Sequence, residues 1–353
     1  MRSSAAGCRS GVELTGGNKP VSCLVARVFG PAESVLRLEH WAPREPGPGE
    51  VEVAIEAATI NPSDLITIGG AYPGRTTLPF VAGFEAAGIV ARAGRGVSSP
   101  REGDRVLPIG RAGLWCDRVT WPANDVIYVP SALSPAQAAM SYINPVTALL
   151  MIRGHAGIGP GTVVGINAAN SAISRWLISL VLEARAIPIA LVRRPEVVAT
   201  LQTAFPSIIV LTAATGASLS AVPTLDVAFD AIGGEAGEAL ALRVRTGGQF
   251  IHYGLASGVP LRPDLAAKLP GVSITYFHLR PWVQTSSPLE KRMAFRAVHE
   301  RLLSGFPSAP IDSCHLLTDF QAAFRRLAAP NRVGKVLLLP RSAHRELTDE
   351  DAG

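Results

Sequence analysis

Residues Thr162 to Arg194 read TVVGINAANSAISRWLISLVLEARAIPIALVRR. The apolar run at Val163, Val164 and Ile166 predicts a strand buried on both faces, which needs no polar alternation. Small residues from Asn167 to Ser174 predict a tight turn, after which Trp176, Leu177, Leu180 and Val181 recur at helical spacing. A second apolar run, Ile187 to Val192, ends on Arg193 and Arg194. Strand, small turn, helix and strand form the opening unit of a dinucleotide-binding sheet, in which a pyrophosphate rests on the helix N-terminus. The end of the second strand sorts the cofactors. A carboxylate there bonds the ribose 2′-hydroxyl of NAD, whereas guanidinium groups suit the 2′-phosphate of NADP. The expected cofactor is therefore NADPH. The glycine fingerprint of such turns is missing, with Ala172 and Ser174 where glycines normally allow close backbone approach. On these residues alone, a strand–helix–strand unit that binds nothing stays open.

The remainder of the chain supplies context. From Val21 to Ser141 short apolar runs (22–29, 51–57, 88–93, 104–107 and 125–129) are cut by Gly and Pro turns, which predicts an antiparallel, barrel-like β domain. From Pro145 strands alternate with helices, at 162–167, 187–192, 208–211, 226–230, 249–253 and 273–277, as a doubly wound α/β sheet requires. A helix over 289–303, a strand at 313–317, a helix over 319–327 and a last apolar run at 333–339 predict a return to the β domain. The expected division is an extension over 1–20, a β domain over 21–141 and 286–340, a cofactor domain over 142–285, and a tail over 341–353. Extension and tail are read as disordered.

Composition excludes several classes. The 353 residues hold 33 Lys and Arg against 28 Asp and Glu, and the basic residues are scattered without runs, so a nucleic-acid surface is not indicated. The four cysteines are far apart and lack CxxC spacing, which argues against structural zinc and a disulfide scaffold and fits a reducing compartment. No apolar stretch reaches the ~18 residues of a membrane span. The expected setting is cytoplasmic. A mitochondrial one is the alternative, since residues 1–20 are only weakly similar to a transit peptide.

Three local motifs, Ile60-Asn61-Pro62-Ser63-Asp64, Asn144-Pro145-Val146-Thr147-Ala148 and Asn167-Ala168-Ala169-Asn170-Ser171, together with Gly69-Gly70-Ala71-Tyr72, carry a resemblance. In this order, from about Val21 to Pro340, the chain resembles the medium-chain dehydrogenase/reductase superfamily, and within it the zinc-independent 2-enoyl thioester reductases (trans-2-enoyl-CoA/acyl-carrier-protein reductases). The resemblance implies a GroES-like β-barrel catalytic domain beside a Rossmann cofactor domain. It also implies NADPH-dependent reduction of the carbon–carbon double bond of an enoyl-CoA or enoyl-acyl-carrier-protein, and a homodimer joined at the sixth strand.

Zinc-dependent members of that superfamily supply an early Cys and the His of a Gly-His-Glu motif. Asn61 and Phe84 stand at those positions, so a metal site of N and S ligands cannot be assembled. Glu85 is read as structural.

The resemblance places the catalytic tyrosine at Tyr72. A phenol with a pKa near ~10 stays protonated and can donate to a thioester oxygen as charge develops there; packing of a glycine-rich loop is the other reading of that residue. By the same resemblance the cofactor is held by Asn144, by Asn170, Ser171, Ala172 and Ile173 in the turn, by Arg193 and Arg194, and by Tyr253, Gly254, Leu255 and Ala256. Phe277, His278, Leu279 and Lys335 complete that set. Asn61 and Trp282 are assigned to the substrate, with surface packing as the alternative for Trp282. Two other functions stay open: an NADPH:quinone oxidoreductase, and a non-catalytic protein that retains NADPH binding.

Overall fold

The computed structural model describes residues 20–71, 74, 76–154, 157–212, 219 and 221–340. Tyr72, the expected extension up to residue 19 and the tail from residue 341 lie outside them. The chain divides into two units. One runs through Ile143 and includes Val283–Ser304 and the segment from Pro310; the other holds Asn144–Trp282 and Gly305–Ala309.

The chain enters through β1 (Val21–Ala26), α1 (Ala32–Val35) and β2 (Leu36–Trp41), then β3 (Glu50–Thr59), α2 (Pro62–Ile68) and β4 (Phe80–Val81). Next come β5 (Ala86–Ala93), β6 (Arg105–Pro108), β7 (Arg118–Pro122), β8 (Val126–Tyr128), α3 (Pro135–Ala139) and α4 (Ile143–Gly154). The second unit, which already holds α4 from Asn144, continues with β9 (Val163–Ile166), α5 (Ala172–Glu183), β10 (Ile187–Val192), α6 (Val198–Ala204) and β11 (Ile209–Thr212). It continues through β12 (Leu225–Asp230), α7 (Gly234–Ala241), β13 (Val244–His252) and β14 (Ser273–Tyr276). The chain returns through α8 (Leu279–Thr285), α9 (Pro288–Leu303), β15 (Ile311–Leu316), α10 (Phe320–Ala328) and β16 (Lys335–Leu339).

In the first unit a seven-stranded sheet runs β15-β16-β3-β5-β6-β8, with β7 also paired to β3, and a three-stranded sheet runs β2-β1-β4. All pairings are antiparallel except β15 with β16. β3 is the central strand, and its two inward glutamates are buried only because each has an arginine partner. Glu56 receives a bidentate pair of bonds from Arg105 at 2.6 and 3.0 Å, and Glu52 receives Arg92 at 2.6 Å. Such charge-assisted pairs offset the cost of dehydrating the carboxylates.

The second unit is a six-stranded parallel sheet in the order β11-β10-β9-β12-β13-β14. Counted within the sheet this is 3-2-1-4-5-6, the doubly wound order with its reversal between β9 and β12. Phe229 and Phe250 are fully buried in it, each contributing roughly 1.5–3 kcal/mol through the area removed from water. The parallel sheet expected from the sequence is present with all six strands. Three segments differ from the expected division: 142–143 and 283–285 fall in the first unit, and Gly305–Ala309 falls in the second. Phe306 packs on Trp176 of α5 with ring centroids 4.9 Å apart and planes tilted by 41°, and this aromatic contact draws Gly305–Ala309 there.

Candidate active-site residues

In the first unit the site is built at the C-terminal end of β3. Asn61 precedes α2, and Pro62 takes the first helical position, where a missing N–H costs nothing. Asp64 reaches back to accept the Asn61 amide at 2.6 Å and also accepts the Phe84 amide at 3.0 Å. Asp64 is fully buried, and burial pushes its pKa up to about 7 against the pull of those amides and of Lys335.

Glu85 is equally buried. One of its oxygens accepts the amides of Tyr142 and Ile143 at 3.0 and 2.8 Å; the other accepts Thr59 Oγ1 and Asn61 Nδ2 at 2.7 and 2.8 Å. A carboxylate with four donors has no lone pair left for a metal or a proton transfer.

Asn61 Nδ2 also donates to Thr59 Oγ1 at 2.9 Å, while Asn61 Oδ1 accepts Lys335 Nζ at 2.6 Å. Lys335 opens β16 and donates a second bond to the Ile60 carbonyl at 3.0 Å. It is 6 % exposed, and dehydration lowers its pKa while Glu85 and Asp64 oppose that shift. The structure thus joins Asn61 and Lys335, which the sequence assigned to different ligands. Gly83 keeps the corner tight: at φ +90° a Cβ would lie 2.2 Å from the Trp115 ring, whose Nε1 donates to the Thr59 carbonyl at 3.0 Å.

In the second unit the turn after β9 runs from Asn167 to Ser171, with Ala168 in the left-handed region at φ +46°. Ser171 caps α5, its hydroxyl accepting the Ser174 amide at 3.3 Å. The amides of Ala172 and Ile173 occupy the first turn, where a helix leaves donors for a ligand. Ser174 is fully buried where a glycine was expected. Its hydroxyl donates to the Asn167 carbonyl at 3.2 Å and lies 3.4 Å from the Tyr253 hydroxyl, so the side chain that replaces the glycine is bonded into the strand tips. Dehydration raises the Tyr253 phenol.

Across the carboxyl ends of the strands runs a network that the sequence reading missed. Asn167 Nδ2 donates to Asp230 at 2.5 Å, and His252 Nδ1 lies 2.6 Å from the same buried carboxylate. Its only sequence signal is an acid ending the apolar run of β12. Tyr253, Gly254, Leu255 and Ala256 follow directly, the Tyr253 and Ala256 amides donating to Asp230 and Ala231 carbonyls at 2.9 and 3.0 Å. A Cβ on Gly254 would meet the Ala231 carbonyl at 2.7 Å, so this close approach requires glycine.

Phe277 donates its amide to the His252 carbonyl at 2.8 Å, which places Phe277, His278 and Leu279 just beyond β14. His278 is exposed, and Asn144 and Trp282 are half-buried. Arg193 and Arg194 follow β10; Arg193 is exposed, and Arg194 lies 3.8 Å from Glu196. First-turn amides and two guanidinium groups form a donor set that fits a dinucleotide with a 2′-phosphate.

Comparison with known proteins agrees with this architecture. Residues 47–131 match the alcohol dehydrogenase GroES-like domain. The mitochondrial enoyl-[acyl-carrier-protein] reductase of Caenorhabditis elegans is 30% identical over 255 residues, 70% of this chain and 74% of its own. That of Xenopus tropicalis is 26% identical over 341 residues, 91% of this chain and 97% of its own. Among solved structures, a Bacillus thuringiensis protein assigned as an NADPH:quinone reductase is 30% identical. The match covers 91% of this chain and 99% of that one, with a TM-score of 0.84. The fold and these relatives are those of an NAD(P)H-dependent oxidoreductase. The chain belongs to the medium-chain dehydrogenase/reductase superfamily, among its enoyl reductase-like members. Among the described residues no helix is long and apolar enough to cross a membrane.

Proposed function

We propose that this chain is an NADPH-dependent, zinc-independent reductase of the carbon–carbon double bond of 2-enoyl thioesters. The Asn61–Lys335 pair carries the metal-free part of the reading: a buried ammonium bonded at 2.6 Å supplies the positive charge where the zinc enzymes of the superfamily have a ligand. The enoyl reductase relatives along most of the chain support the substrate class. Arg193 and Arg194 select NADPH, and the turn of Asn170, Ser171, Ala172 and Ile173 takes its diphosphate. Asn144, Tyr253 to Ala256, Phe277 to Leu279 and Lys335 hold the rest of the dinucleotide. Asn61, its amide fully engaged, acts by holding Lys335, and Trp282 lines the acyl channel.

When bound, NADPH supplies the hydride for the β-carbon. Tyr72 donates a hydrogen bond to the thioester oxygen, where negative charge builds in the transition state, and the same hydroxyl or a water it orients delivers the α-proton. CoA or acyl carrier protein is the carrier, and the protein works as a cytoplasmic homodimer.

A second reading, NADPH:quinone oxidoreduction, is favoured by the 30% identity to the Bacillus thuringiensis protein. NADPH oxidation with crotonyl-CoA, decenoyl-CoA and a set of quinones separates them. Turnover with the enoyl thioesters well above that with any quinone is the expected result. Quinone turnover alone overturns the substrate assignment.

A further inference from the structure

We propose that Arg175 is a diphosphate-binding cation of this chain, taking over part of the anion recognition that a glycine-rich turn ordinarily supplies. The inference rests on the NADPH reading above.

Arg175 is the fourth residue of the twelve-residue α5. Side chains on a helix lean toward its N-terminus, so a long residue at this position reaches back over the first turn. It does so here: Nη2 donates to Asn170 Oδ1 at 3.1 Å, two residues before the helix begins. The residue is only 5 % exposed, and its Nε has no hydrogen-bond partner. Burial lowers its pKa, and no carboxylate among the described residues opposes that shift. The two buried glutamates of β3 show how this chain treats other dehydrated charges, each with an opposite charge at 2.6 Å. Among the described residues Arg175 has only a neutral amide.

An unpaired guanidinium in a medium of low polarity is costly, and an anion beside it offsets that cost. The first turn of α5 is where the fold receives one, from two free amides and the positive end of the helix. Ala172 and Ser174 narrow the backbone cradle that glycines would open. A cation placed over the same turn restores attraction for a diphosphate through charge. Arg193 and Arg194 lie at the end of β10 and serve the 2′-phosphate, so the two groups of arginines divide the cofactor's anions between them.

The test is calorimetric binding of three probes to the purified protein: NADPH, ADP (a diphosphate without a 2′-phosphate) and adenosine 2′-monophosphate (the converse). Arg175→Gln weakens ADP and NADPH by about 10- to 100-fold and leaves adenosine 2′-monophosphate within about twofold. Arg175→Lys keeps most of the ADP affinity. Arg175→Met, which removes the unpaired charge, melts no lower than wild type without ligand while losing ADP affinity in the same way. Unchanged ADP binding in Arg175→Gln, or an equal loss for all three probes, overturns the proposal and leaves the NADPH reading intact. A wild-type protein that binds neither ADP nor NADPH overturns the cofactor reading itself, and this one with it.

Discussion

At Glu85 the chain spends four hydrogen-bond donors on one carboxylate, and the consequence is chemical as much as structural. With Glu85 saturated, Asn61 clasped by Lys335 and Phe84 unable to coordinate, these positions offer zinc no ligand, and among the described residues no group of three metal-ligating side chains occurs. The purified protein is expected to contain far less than one zinc per chain by elemental analysis and to keep its activity in chelator. Zinc at one per chain, lost together with activity, contradicts this. Tyr72 bears the second residue-scale prediction. If Tyr72 acts as proposed, Tyr72→Phe keeps the ring and removes one donor to the developing oxyanion, and turnover is expected to fall by ~100–1,000-fold, about 2.7–4 kcal/mol. The NADPH dissociation constant is expected to hold, since the role proposed for the hydroxyl is toward the acyl group and not the dinucleotide. Near-normal enoyl reduction by the variant removes the mechanism even if fold and cofactor stand.

Elements differ in how much of themselves the sequence discloses. All six strands of the parallel sheet were legible because each is a short apolar run bounded by turn residues, and β9, β10 and β12 match their expected spans within about a residue at either end. β2 and β7 were not. LRLEHW in β2 is half exposed and mixed in polarity, and it is a strand only because six residues pair in register with β1. The candidate residues that follow strand ends, such as Arg193, Arg194 and Tyr253, were placed by the same apolar runs that mark the strands. The Asn61–Lys335 pairing was not, since 274 positions separate the two residues and only the pairing of β16 with β3 brings them together. The Asp230–His252 clasp was missed likewise, because it needs two parallel strands in known register. The end of β10 carries its own prediction. Arg193 and Arg194 together are expected to confer ~1.5–3 kcal/mol of preference for the phosphorylated cofactor. Replacing both with Ala is expected to bring the kcat/KM values for NADPH and NADH close to each other. A wild type that uses both equally well removes the assignment.

Acid tolerance belongs to the whole molecule, and His299 of α9 shapes it. Burial pushes its pKa down to about 4, and its Nε2 lies 3.3 Å from the Ser141 hydroxyl. An unfolded histidine titrates near ~6.5. Below that pH the unfolded chain takes up a proton that the folded chain refuses, so this contribution is full above ~6.5 and is lost as pH falls to about 4. The amount is on the order of 3 kcal/mol. Asp64 runs the other way: with its folded pKa raised to about 7, its contribution is full below ~4 and is lost as pH rises toward 7. Comparing melting temperatures of wild type and His299→Gln from pH 7 to 4.5 isolates the histidine, and the variant is expected to lose less on acidification. Parallel profiles show that His299 has no such role. A last consequence concerns synthesis. Neither unit is continuous in the chain: one closes only with β16, and the other recruits Gly305–Ala309 after the chain has already left it through α9. A nascent chain emerging from the ribosome therefore holds two unfinished cores until Gly305–Ala309 is made, and one until β16 is made. Truncation before Lys335 removes the closing strand of the first unit.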